Sequence, residues 1–144
     1  MSAILQTTVA RTRPRLVLIA ACTTALNVIR LVAIAYIVAA TTGSVQPIAY
    51  IPGVGDFLSG LTALLITFAL LRRNAGINTW GTALVWHSFA MADVIVALAL
   101  TFLAPTAGFG PSIFLVLPFT FLTAHIVSFI LLTRRSTRDY FLHV

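Results

Sequence analysis

A chain of 144 residues has room for one domain. Apolar residues make up 60% of it and charged residues 8%, against roughly 25% charged in soluble domains, so the solvent for most of this sequence is lipid. The net charge of +6 does not point to nucleic acid, because all nine basic residues are arginines and all but Arg30 flank apolar stretches, the pattern that membrane orientation alone produces. Cys22 is the sole cysteine, which excludes an intrachain disulfide and a thiol metal cluster. The absence of lysine excludes imine chemistry on a lysine amine.

Four apolar stretches follow one another, each near the roughly 20 residues needed to cross about 30 Å of hydrocarbon. They predict transmembrane helices over residues 16–40, 54–71, 80–104 and 113–133, in an all-α membrane four-helix bundle with short loops. The first stretch ends in Val38-Ala39-Ala40, which looks like a signal-peptide cleavage site. Its apolar run is longer than the 7–15 residues of a signal core, so it reads as a retained helix. Pro47, Pro52, Pro105 and Pro111 punctuate the two uncharged loops, whereas Pro118 lies inside the fourth stretch, where a kink or a freed carbonyl is expected.

Charge sets the expected orientation. Arg11, Arg13, Arg15, Arg72, Arg73, Arg134, Arg135 and Arg138 occupy the N-terminal arm, the 72–79 loop and the C-terminal tail. The 41–53 and 105–112 loops carry no charge. Short loops with that asymmetry predict an inner-membrane protein with both termini in the cytoplasm.

The chemistry-bearing residues are the ionisable ones inside the spans: Arg30, Asp56, His87, Asp93 and His125. A charge at the bilayer centre costs at least about 2.5–3.5 kcal/mol, so each needs a reason. With a rise of 1.5 Å per residue, Arg30, Asp93 and Asp56 lie about 22, 20 and 24 Å from the cytoplasmic edge, on three helices but at one level. An arginine and two carboxylates at a shared depth predict a buried ion cluster. It carries one excess negative charge, which a protonated carboxylate or a bound cation would neutralise. His87 and His125 form a second, inner level nearer the cytoplasmic edge, at about 10 and 13 Å, and each alone reads as a hydrogen-bonded core histidine rather than as a metal motif. Thr23, Asn27 and Arg30 share a stripe on the first helix, and Asp56, Ser59, Gly60, Ala63 and Thr67 share one on the second. Pro118, Phe121, His125 and Ser128 share a face of the fourth. Small residues on such stripes let helices approach, and polar ones bond across the gap.

Around these residues the sequence resembles a family of small bacterial four-helix integral membrane proteins without an assigned function. The likeness lies in a G-x-G-D pattern at Gly53-Val54-Gly55-Asp56 followed by Gly60, and in a W-N-x-x-G-x-x-D pattern read here as Trp86 to Asp93. A proline and a later histidine in the fourth helix correspond to Pro118 and His125. His87 and Ala90 depart from the pattern, and the resemblance implies a four-helix membrane fold and no activity.

Three functions remain open. The first is a structural or interaction subunit of a membrane assembly, with a membrane protein or a second copy as partner. The second is a small oligomeric, proton-coupled carrier or ligand-binding bundle using an Arg30, Asp56 and Asp93 layer, with Asn27 beside it. The third is an embedded enzyme or cofactor protein using His87, His125 and Asp93. The sequence contains no nucleophile motif, P-loop or dinucleotide fingerprint, and it names no catalytic residue, metal or cofactor.

Overall fold

The computed structural model describes residues 13–103 and 113–142. Arg11 and the 105–112 loop with Pro105 and Pro111 lie outside the described residues. The fold is all-α, with helices α1 (Arg15–Leu26), α2 (Ile34–Thr41), α3 (Tyr50–Leu71), α4 (Ile77–Leu103), α5 (Ile113–Thr133) and α6 (Arg135–Leu142). Four stretches are long and apolar enough to cross a membrane: Arg15–Thr41, Tyr50–Leu71, Ile77–Leu103 and Val116–Thr133. In the bundle, α1 lies between α3 and α5, and α4 closes the ring between the same two helices.

The first span departs from the expected uninterrupted helix. Residues Asn27–Ala33 form a seven-residue 3-10 segment between α1 and α2. Such tightened turns inside a helix mark strain or function, and this one carries Arg30 at its centre. The backbone there is pressed against α3. A Cβ on Gly60 would come within 2.8 Å of the Leu31 amide nitrogen and 3.1 Å of the Arg30 carbonyl carbon. Gly60 is thus the residue that lets the first two spans touch backbone to backbone.

Other boundaries follow local chemistry. Gly43, at φ 75°, ends α2, with the Ser44 amide donating to the Ala39 carbonyl and the Gly43 amide to Ala40, the paired bonds of a Schellman stop. The second span, the shortest of the four apolar stretches in the sequence and open at its start to residues 48–53, begins at Tyr50. Pro52 consequently sits in the first turn of α3, not in the loop, where its missing N–H is harmless. Helix α5 runs unbroken through Pro118; the proline leaves the carbonyl four residues earlier without its helical donor.

The tail after Thr133 is not a plain extension. It turns at Arg134 into α6, whose Thr137, Tyr140 and Phe141 are buried. Tyr140 and Phe141 pack with Val17, Ala20, Ala21, Leu70, Ala75, Ala83 and Leu132 into an apolar core at the arginine-bearing end. Two side chains stop helix ends there: the Arg13 guanidinium donates to the Leu71 carbonyl, and the Trp80 indole donates to Leu132 at 2.8 Å. Both satisfy carbonyls that the last helical turn leaves free.

Candidate functional site

Arg30 is the hub. Its side chain is fully buried, and its nitrogens reach all three other spans. Nε donates to Asp56 Oδ1 on α3 at 2.6 Å. Nη2 contacts both the Asp56 and Asp93 carboxylates, the second on α4. Nη1 lies 3.3 Å from His125 Nε2 on α5, and the guanidinium carbon sits 5.6 Å from the centroid of the Phe121 ring. Arg30 therefore joins both carboxylates that its depth suggested, and it also reaches the histidine layer, which helix rise alone had placed separately.

Gly55 explains how Asp93 reaches the hub. A Cβ at this position would overlap Asp93 Oδ1, so the glycine before Asp56 makes room for the carboxylate from the facing helix. Two positions of the resemblance, Gly55 and Asp93, are thus mates in space. Asp93 and His87, six residues apart on α4, both face inward: the Asp93 side chain is 9% exposed and His87 is fully buried. Asp56 is more open, at 32%.

From Arg30 the network descends toward the arginine-bearing end. His125 Nδ1 lies 2.9 Å from His87 Nδ1, His87 Nε2 lies 3.2 Å from Thr24 Oγ1, and Thr24 donates to the Ala20 carbonyl at 2.6 Å. The donors can be assigned by elimination. A guanidinium only donates, so His125 Nε2 accepts and its proton sits on Nδ1. That proton goes to His87 Nδ1, which leaves His87 protonated at Nε2 and donating to Thr24. Each ring thus carries one proton and each contact has one donor. Trp86 packs edge-on against both imidazoles, with centroids 4.8 and 5.3 Å away, while its indole N–H donates to Thr62 at 2.8 Å.

This geometry bears on the cofactor reading. The two Nδ1 atoms stand at hydrogen-bond distance, whereas zinc bonds of about 2.0–2.1 Å would hold two ligating nitrogens more than about 3 Å apart. No set of three His, Cys, Asp or Glu side chains suited to a metal occurs among the described residues. The pair is arranged as a hydrogen-bonded relay, with its outward-facing nitrogens already engaged by Arg30 and Thr24.

Asn27 is buried one turn before Arg30. Its Nδ2 donates to the Thr23 carbonyl at 3.0 Å, while its Oδ1 and the nearly buried Ser59 Oγ have no hydrogen-bond partner. Thr24, Thr62 and Trp86 complete the network without having been singled out as polar sites. Their signal was available: a hydroxyl or indole N–H inside a span needs a partner. No known family, curated protein or solved structure matches the chain.

Proposed function

We propose that the protein is an integral inner-membrane protein with both termini in the cytoplasm, and that it serves as a structural or interaction subunit of a larger membrane assembly. The observation that carries this reading is the saturation of Arg30. Its three nitrogens are engaged by side chains from the three other spans, so the interior is a cross-braced core and the guanidinium is not held ready for an anionic substrate. The groove found among the described residues, about 580 Å³, is lined by Val116, Phe119, Thr120, Thr123 and Ala124. These residues lie on the side of α5 opposite His125, Ser128 and Leu132, and so outside the bundle. A bundle braced in this way acts through its outer surface.

The orientation rests on charge. Arg13 on Leu71 and α6 beneath the apolar core gather the described arginines other than Arg30 at one end, the end that the positive-inside rule assigns to the cytoplasm. Reporter fusions after Arg73 and after Ala107 should give opposite sidedness. Photo-crosslinkers placed in cells at Phe119 and Leu65, both exposed, should join the chain to another membrane protein or to a second copy. If the protein reconstituted alone in vesicles transports a solute, and Asp93→Asn abolishes that transport, the subunit reading gives way to a carrier.

A further inference from the structure

The ion cluster does not balance. Arg30 contributes one positive charge, and Asp56 and Asp93 would contribute two negative charges. Both carboxylates lean on the same guanidinium nitrogen. Two carboxylates sharing one cation in a low-dielectric interior cannot both stay ionised cheaply, and the usual remedy is a shared proton. The other titratable groups facing the cluster offer no second positive charge. Tyr36 on α2 faces Asp56. His125 on α5 and His87 on α4 are committed to the relay, in which each ring carries one proton.

We propose that Asp56 and Asp93 hold one proton in common, making the cluster a proton-binding site that exchanges with the end of the bundle opposite the arginines. In loading, an O–H bond forms on a carboxylate oxygen that Arg30 leaves free, Asp56 Oδ2 or Asp93 Oδ1. The proton comes from a hydronium ion, which departs as water. Two buried oxygens lacking a partner, Asn27 Oδ1 and Ser59 Oγ, lie one helical turn from Arg30 and Asp56 on the same faces.

The direction of exchange follows from the relay. No donor in the chain from Arg30 to Thr24 points back at Arg30, and a proton arriving through the histidines would require the guanidinium to accept it, which it cannot do. Asp56, with 32% of its side chain exposed against 9% for Asp93, is the more accessible carboxylate and by helix rise lies about 24 Å from the arginine-bearing edge, nearer the other end.

The acidic composition makes the test clean. The chain has three acidic residues, Asp56, Asp93 and Asp139, and Asp139 sits on α6 beside Arg135 and Arg138. Infrared spectra of the full chain in lipid, with ¹³C-labelled aspartate, should show one protonated carboxyl per chain at neutral pH. The band should be the same in sodium and choline buffer and unchanged by Asp139→Asn. Asp56→Asn and Asp93→Asn should each abolish it, because either leaves one carboxylate against Arg30. A wild-type spectrum without the band overturns the proposal, as does a band that survives both variants. A band seen in choline but lost in sodium also overturns it, in favour of a sodium ion at the same carboxylates. The wild-type and Asp139→Asn spectra decide even if a cluster variant fails to fold.

Discussion

At the arginine-bearing end, Val17, Ala20, Ala21, Leu70, Leu132, Tyr140 and Phe141 fill the space between helices with apolar side chains. Farther along the bundle the interior holds Arg30, Asp56, Asp93, His87 and His125, with close approach at Gly55 and Gly60 and buried small residues such as Ala63 and Ala90. Helix α2 buries none of its side chains, and between residues 116 and 124 no described α5 side chain is fully buried. One end is therefore joined by shape, the other by charge and close backbone approach. Lipid offers apolar side chains nearly the same environment as a protein core does. Packing at the first end thus works through fit and through the docking of α6, whereas an ion pair in lipid has no comparable alternative partner and binds its helices more selectively.

The largest expected effect breaks the charged end. Arg30→Met leaves two carboxylates facing each other, and an unmatched buried charge typically costs about 3–5 kcal/mol. Thermal unfolding in detergent should show that loss. Removing both carboxylates as well, in Arg30→Met/Asp56→Asn/Asp93→Asn, should recover much of it, since an apolar replacement of a whole buried ion group can be nearly neutral. A triple variant no more stable than Arg30→Met would mean the three residues are not coupled.

The apolar end is tested by Phe141→Ala, with an expected loss of about 3 kcal/mol or more from the cavity and from weaker docking of α6. The comparison predicts more than a magnitude. Hydrogen exchange should quicken first in α6 and the 72–76 connection, leaving the Arg30 level protected. In Arg30→Met the early exchange should instead fall in residues 27–41. If both variants open the same segments, the two ends are one cooperative unit and the contrast fails.

What the sequence made legible follows the same division. Depth along a helix needs only residue counting, so the shared level of Arg30, Asp56 and Asp93 could be read in advance. The reach of a long side chain could not: a guanidinium extends past its own turn, and this let Arg30 touch His125 on what looked like a separate layer. The 3-10 segment at 27–33 left no mark because nothing in Asn27–Ala33 forbids an α-helix; contact with Gly60 across the interface accompanies the change. Helix α6 was missed for a different reason. Arginines on its surface obscured a spacing of i, i+3, i+4 at Thr137, Tyr140 and Phe141 that does mark one buried face.

A subtler variant sharpens the role of close approach. Gly55→Ala adds one methyl where Asp93 Oδ1 sits, and overpacking of this kind costs about 1–3 kcal/mol. The double variant Gly55→Ala/Asp93→Ala removes the obstructing carboxylate, so its loss in thermal stability should be smaller than the sum of the singles. Strict additivity would place Asp93 somewhere other than against Gly55.

The smallest effect lies where the two regimes meet. Trp86 donates to Thr62 from α4 to α3 at 2.8 Å, while its ring supports both imidazoles. Trp86→Phe keeps an aromatic ring against the histidines and removes the N–H; Thr62→Ala removes the acceptor. Hydrogen bonds between helices in membranes average only about 0.6 kcal/mol, because the separated helices find other partners. A double-mutant cycle of these two changes should therefore return a coupling near that value, roughly five to eight times weaker than the Arg30 effect. A coupling of several kcal/mol would mean that the indole bond also holds the imidazoles in register. The relay from Arg30 to Thr24 would then be part of what braces the bundle, not a passenger within it.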